Sequence, residues 1–223
     1  MESVNLKALT KTEIFARATE EEVSSMLNCL SAKKKKYRKD EIIFHPGDIV
    51  SSIGVMLKGN ALIENDDIWG NRSVLDYVKE GQIFAETYAC ALNEKLMVNV
   101  IAMSDCEVLF LDVRKILKVC PNACEFHQNL VQNLLAISAQ KNLNLSRRIF
   151  HTSSKTIRGR LLSYLSYQAM EREKEEFDIP YNRQQLADYL GVDRSAMSNE
   201  LGKMQKDGLI EVKRNHFRIL DVD

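Results

Sequence analysis

The sequence predicts an α+β chain in three consecutive parts: an N-terminal β-roll, one long helix and a C-terminal winged helix pair. Three observations predict it. Short β-branched or apolar runs punctuated by Gly47, Gly54, Gly59, Gly70 and Gly81 fill Tyr37 to about Asp112, the texture of a meander of short strands closing into a small barrel or roll. From about Asn122 to Phe150 no glycine or proline interrupts an apolar arc that runs from Phe126 to Ile149. Asn182 to Ile210 then reads as helix, tight turn and helix, with an alternating apolar and polar run behind it. The boundaries these textures give are 1–116 for the roll, 117–150 for the long helix and 151–223 for the winged part.

Before the roll, Leu6, Leu9, Ile14 and Phe15, then Val23, Met26, Leu27 and Leu30, fall at helical spacing, and Thr19 with three glutamates supplies a cap and an acidic first turn. The run Lys33 to Lys36 reads as a solvated connector, too short and too poor in arginine for a nucleic-acid arm. Within the roll, Glu86 stands alone among apolar neighbours in FAETYACAL. A carboxylate there either caps the short helix that follows or bonds something inside, because burial without a partner costs several kcal/mol, on the order of 3 or more.

The long helix carries more apolar surface than one face of a roll can cover, so a second copy of the helix is its expected partner. Leu130, Leu134, Ile137 and Leu145 are the expected seam, and Ser138 and Asn142 within the arc mark either its register or an effector contact. A Ser/Thr-rich hinge, His151 to Ser154, leads into a further helix from Ser154 to Met170.

In the winged part, Leu186, Ala187 and Leu190 recur before Gly191, and Met197, Leu201 and Met204 after it, so each helix has one stripe to bury. Asp193 is placed as the N-cap of the second helix, and Arg194, Ser195, Ser198 and Asn199 are left on its free face. Such side chains read base edges and hold phosphate, and the helix N-terminus favours phosphate as well. Beyond Gly208, Ile210, Val212, Phe217 and Ile219 alternate around the polar tip Lys213-Arg214-Asn215, a short hairpin or wing. A purely structural helical hairpin needs only the stripes and the turn, not the polar quartet or the basic tip.

Whole-chain charge gives no independent support to this reading, since 31 basic residues balance 31 acidic ones. From His151 onward the count is 12 against 12, with five of the acids together between Glu171 and Asp178, a predicted loop. Salt-driven affinity for nucleic acid is therefore expected to be modest, with pairing of two subunits helping. No apolar run approaches the roughly 18 residues that span a bilayer, and the first residues lack a signal pattern, so the expectation is a soluble, cytoplasmic protein with no membrane contact. Cys29, Cys90, Cys106, Cys120 and Cys124 form no even framework and read as thiols; Cys120 and Cys124 lack the further ligands of a metal set. No nucleophile with base, no phosphate loop and no metal set supports an enzyme.

The order of parts, with FHPGD (Phe44 to Asp48), GQIFAE (Gly81 to Glu86), DCEVLFLD (Asp105 to Asp112) and the 29 residues from Asn182, resembles bacterial regulators of the cyclic-AMP receptor and fumarate-nitrate reduction (Crp/Fnr) family over almost the whole chain. The resemblance implies a cyclic-nucleotide-binding-like jelly roll, a dimerisation helix and a winged helix-turn-helix. It implies double-stranded DNA with a palindromic operator and a second copy of the chain as partners, and RNA polymerase as a further one. By position it places Arg194, Ser195, Ser198 and Asn199 on the recognition helix and Arg183 and Gln184 at phosphate; Lys203 and the wing's Lys213 are further expected DNA contacts of this sequence.

The sequence also departs from the family. Where cyclic-nucleotide-binding members carry an arginine and a serine after their cassette glutamate, Leu96 and Met97 stand here, so cyclic AMP is not the expected effector. A pocket of Glu86, Thr87, Leu96 and Met97 offers an acid, a hydroxyl and apolar surface without a cation, and suits a neutral or weakly polar molecule or none. Only Cys29 stands where iron–sulfur members hold a cysteine group, and of His45 and His127, the histidines that could be imagined as a haem ligand, His45 sits inside a turn motif that suits a structural role; no cofactor is expected. The favoured expectation is a ligand-gated regulator that binds DNA. The competing one is a metabolite- or redox-sensing module whose winged helix serves protein interaction.

Overall fold

The computed structural model describes residues 5–66, 68–69, 72–91, 93–117 and 125–220. The chain divides into two compact units, Met1–Lys141 and Asn142–Asp223. Among the described residues no helix is long and apolar enough to cross a membrane.

The first unit opens with α1 (Leu6–Leu9), a 3-10 turn at Glu13–Phe15 and α2 (Glu20–Cys29). Thr19 caps α2 through a capping box in which Glu22 answers with its own carboxylate. Eight strands follow: β1 (Lys33–Tyr37), β2 (Ile42–Phe44), β3 (Ser52–Lys58), β4 (Ala61–Asp66), β5 (Arg72–Val78), β6 (Ile83–Phe84), β7 (Asn99–Ala102) and β8 (Cys106–Asp112). The short helix α3 (Glu86–Cys90) interrupts them, and α4 (Val113–Leu117) ends the series.

The strands form two antiparallel four-stranded sheets, ordered β1-β8-β3-β6 and β2-β7-β4-β5. Strands consecutive in sequence mostly lie in opposite sheets, so the roll is the jelly roll that the resemblance implies, and not a simple meander of neighbouring strands. The expected connector at Lys33–Lys36 is also corrected, because those lysines are edge strand β1, paired along its length with β8. Lys34 Nζ lies 2.6 Å from Glu107 Oε2, and lysines on an edge strand discourage pairing with another chain.

Strands β3 and β8 are apolar without alternation because both their faces are covered. Met56 and Val108 face a core between the sheets, which Phe84 fills together with the half-buried rings of Tyr37, Phe44 and Phe110 in edge-on contacts. Ile53, Val55, Leu109 and Leu111 face the other way, onto α1, α2 and the long helix α5 (Glu125–Thr152).

The start predicted for α5 at Asn122, with Cys120 and Cys124, lies outside the described residues. Leu130, Leu134 and Ile137 are buried in the roll's own helix-side core, and Asn133 donates to the carbonyls of Ile14 and Ala16 at 3.1 and 3.0 Å. That packing overturns their assignment to a seam between copies, and it explains why the long helix is not a body of its own. The stripe one residue onward stays exposed: Leu135, Leu145 and Ile149, with Asn142 exposed and Ser138 half-buried between them. Spacings of 3 and 4 residues join these five side chains, the pattern of a coiled-coil seam.

The second unit continues with α6 (Ile157–Arg172), β9 (Glu176–Asp178), α7 (Arg183–Leu190), α8 (Arg194–Lys206), β10 (Ile210–Lys213) and β11 (His216–Ile219). The predicted start of α6 at Ser154 moves to Ile157, since Thr156 takes the N-cap and accepts from Gly159 N–H. The acidic stretch expected as a loop supplies β9, which pairs with β11 in a sheet ordered β10-β11-β9.

Candidate nucleic-acid interface

Helices α7 and α8 are built by their caps and by the apolar stripes the sequence displays. Asn182 and Gln185 form a reciprocal capping box at the start of α7. The chain leaves α7 through Gly191 at φ 62°, a left-handed conformation that favours glycine. Asp193 caps α8 by accepting from Ala196 N–H at 2.8 Å. Leu186, Ala187, Leu190, Met197, Leu201 and Met204 are buried together with Phe217 of the wing, and Ala187 is small enough for the helices to approach. Arg158 ties α6 to the back of α8, with Nε 2.6 Å from Glu200 and Nη1 2.7 Å from Asp207.

This packing leaves Arg194, Ser195, Ser198 and Asn199 exposed on one face of α8. The Ser198 hydroxyl donates to the Arg194 carbonyl at 2.9 Å, a local bond that leaves the oxygen free to accept. Beside that face lies an open cleft of about 660 Å³, lined by Pro180, Tyr181, Asn182, Arg183, Gln184, Gln185, Arg194, Arg214 and Asn215. Among the described residues, three guanidinium groups and no carboxylate line it, together with the N-terminus of α7, which makes it a receptor for anionic oxygen. Arg183 is half-buried with its guanidinium 5.3 Å from the centre of the Phe217 ring, and burial lowers its pKa from the ordinary arginine value.

The structure thus brings Arg183, Gln184 and Arg194 to one cleft and keeps Ser195, Ser198 and Asn199 on the adjoining face. Lys203 and Lys213 are exposed but are not among the residues lining it; Lys203 lies 3.5 Å from Glu200. Arg214 is the charged cleft residue that sequence reasoning left out of the site. Lys213 pairs with His216, so Arg214 and Asn215 form a two-residue tip, and Arg214 adopts φ 58° there. Asn215 holds the tip in place by donating from Nδ2 to the Ile179 carbonyl while its own carbonyl accepts from Ile179 N–H. A two-residue tip between alternating strands was the available signal.

The residues expected to hold an effector do not share one environment. Glu86 and Leu96 are buried, whereas Thr87 and Met97 are exposed. Glu86 is the first residue of α3, entered through Ala85 at φ 63°. The expectation of a site without a cation is corrected: Lys141 of α5 places Nζ 2.8 Å from Glu86 Oε1 and donates to the Ile83 carbonyl at 2.8 Å. Glu86 Oε2 is buried without a hydrogen-bond partner among the described residues. His45 is exposed at a turn, its N–H donating to Asp48, and His127 is buried.

Comparison with known proteins adds two matched domains. Residues 34–122 match the cyclic nucleotide-binding domain, and residues 159–223 match the Crp-like helix-turn-helix domain. The chain is 23% identical over 209 residues to Electron transport regulator A of Shewanella oneidensis, covering 87% of this chain and 78% of the relative. It is 21% identical over 179 residues to the cAMP-activated global transcriptional regulator CRP of Haemophilus influenzae, covering 78% of each. Among solved structures it resembles the c-di-GMP responsive global regulator CLP of Xanthomonas campestris, with a TM-score of 0.60 and 18% identity over 92% of this chain and 100% of that one. That last likeness bears on the fold alone.

Proposed function

From the premise that the chain belongs to the Crp/Fnr family of DNA-binding transcription regulators, we propose that it acts as a homodimer on a palindromic operator. It is a regulator and not an enzyme. The observation that carries the finer reading is the three-arginine cleft beside the exposed polar face of α8.

In this reading Arg194 and Asn199 address base edges, where arginine pairs in bidentate fashion with guanine and asparagine with adenine, each worth about 1–3 kcal/mol of discrimination. Arg183, Gln184, Arg214 and the hydroxyls of Ser195 and Ser198 hold phosphates, with Lys203 and Lys213 as outlying charges. The dimer seam is the exposed stripe Leu135, Ser138, Asn142, Leu145 and Ile149, whose two polar members fix its register. Two reading units on one dimer then meet half-sites about one turn, roughly 34 Å, apart. A small molecule acting on the roll gates the dimer by changing how Glu86 and Lys141 join α3 to α5. Cyclic AMP does not fit that role, because Leu96 and Met97 stand where cyclic-nucleotide-binding members carry an arginine and a serine, and the cation that is present, Lys141, is already paired with Glu86. Contact with RNA polymerase belongs to the same reading.

Selecting operators from random duplex DNA and footprinting the winners tests this. Asn199→Ala is expected to relax sequence preference, while Arg214→Ala weakens all sequences alike and lowers the salt slope by about 1. Failure to enrich any duplex, or equal loss of preference from both changes, overturns the assignment. Calorimetry with cyclic AMP is expected to show no binding, and micromolar affinity would overturn the reading of Leu96.

A further inference from the structure

The C-terminal end of α7 is gripped by two arginines that belong to other helices. Arg148, near the end of α5, donates from Nη2 to the Asp188 carbonyl at 2.7 Å and from Nε to the Tyr189 carbonyl at 2.8 Å. Arg160, in the first turn of α6, donates from Nη1 to the carbonyls of Leu190 and Gly191 at 2.8 and 3.0 Å. A helix leaves the carbonyls of its last turn without intrahelical partners, and it gathers partial negative charge there. Four successive carbonyls, 188 to 191, are taken here by two cations. His151 adds a further tie from α5, its Nδ1 2.9 Å from the Tyr189 hydroxyl, and the Arg148 guanidinium lies 5.6 Å from the centre of the same ring.

A cap alone would not need to come from α5. Arg148 lies on the helix whose exposed stripe is the proposed dimer seam, and the turn it grips is followed after Gly191, Val192 and Asp193 by the first residue of α8. The planar guanidinium fork bonds two adjacent carbonyls at once, which fixes direction as well as distance. We propose that Arg148 is a positioning residue for operator recognition: through the carbonyls of Asp188 and Tyr189 it passes the orientation of α5 to the recognition helix, and so sets the spacing between half-sites that the dimer accepts. It touches neither base nor phosphate. The inference rests on the dimer reading above.

The test uses the full chain and a series of duplexes carrying the selected half-sites, with the gap between them lengthened and shortened by one and two base pairs, plus a single half-site. The wild type is expected to lose about tenfold in affinity when the spacing is wrong. Arg148→Ala is expected to bind the single half-site within about threefold of the wild type, yet to discriminate spacing less than about threefold. Should the alanine variant fail to fold, Arg148→Lys keeps the charge and loses the fork, and the same flattening is expected of it. A spacing preference undisturbed by either change overturns the proposal. So does a loss that falls equally on the single half-site, which a cap of merely structural value would give. Sedimentation of the wild type separates the premises: a monomer brings down the dimer reading together with this one, whereas a dimer with undisturbed spacing preference brings down this one alone.

Discussion

Glu86 and Arg194 hold the same place in their helices and opposite places in the molecule. Each is the first residue of its helix, α3 and α8. Glu86 is buried against Lys141 in the first unit, whereas Arg194 is exposed in the second and makes no side-chain hydrogen bond or ion pair among the described residues. An acid suits the positive end of a helix, and a cation there is disfavoured. Glu86 therefore agrees with its local physics and is used inside the chain. Arg194 is kept against its local physics, with Asp193 one residue earlier offsetting part of the cost, and a residue so kept has its partner outside. The roll holds its charge for coupling between its own elements; the winged unit displays charge for an anion.

The sharpest way to break that comparison lies on α5, where inward and outward stripes run side by side. Leu134 is 4% exposed and Leu145 is 61% exposed. Leu134→Glu buries a carboxylate in the roll's core and is expected to cost about 4 kcal/mol or more, so that urea unfolding finds little folded roll. Leu145→Glu is expected to leave the monomer within about 0.5 kcal/mol of the wild type while abolishing the dimer on sedimentation. A folded, monomeric Leu134→Glu protein would return the seam to the inner stripe.

The next effect in size concerns the internal ion pair. Lys141→Met strands the Glu86 carboxylate, whose side chain is 6% exposed, and is expected to cost about 3 kcal/mol, near the low end for a broken buried pair because the lysine side is 32% exposed. Adding Glu86→Gln to it should restore most of the loss. If the double variant is as unstable as the single one in urea, packing of the lysine stem and not charge accounts for the cost.

How much of this was legible in the sequence follows the same division. The caps at Thr19 and Asp193, the buried stripes of α7 and α8 and the free quartet on α8 are fixed within one or two turns of chain, and local periodicity displays them. The phase of α5 was not legible. Leu134 and Leu135 are equally apolar neighbours, and only the arrival of Leu9, Ile14 and Val23 from the N-terminal helices decides which of them is covered. Lys141 is 55 residues from Glu86, and no local pattern announces that pairing. The lysine run misled because four charged residues imply solvent, yet an edge strand meets solvent too, and its partner Glu107 lies far along the chain. Arg214 was visible as part of a basic tip, but its place in the cleft depends on the hairpin register and on Asn215 bonding back to Ile179.

A smaller effect is expected at the turn between the reading helices. Gly191 has φ 62°, and a Cβ there would meet Arg160 Nη1 at an ordinary 3.6 Å. Gly191→Ala therefore costs only the left-handed backbone, about 1 kcal/mol, and its operator affinity should track its stability. A loss of several kcal/mol in urea would mean that the two-arginine grip tolerates no adjustment of the turn.

The smallest effect compares two histidines within the winged unit, and its sign differs between them. Burial, reinforced by the charge of Arg147, lowers the pKa of His151 below the ordinary value near 6.5. The folded state then binds fewer protons than the unfolded one, so this contribution is full above about pH 6.5 and is lost as the pH falls below it toward the folded pKa. Hydrogen bonds to Glu176 and Asp178 raise the pKa of exposed His216. Its contribution is full below about pH 6.5 and is lost as the pH rises through the raised folded value. The groups around His151 are the rings of Phe150, Tyr164, Tyr167 and Tyr189 and the cations Arg147 and Arg148, with no carboxylate paired to it among the described residues. Urea midpoints measured from roughly pH 5 to pH 8 should therefore lose their acid-side decline in His151→Phe and their decline toward alkaline pH in His216→Asn. If His151→Phe keeps the wild-type acid slope, protonation at the end of α5 is not what loosens the winged unit, and the titrating group lies elsewhere in the chain.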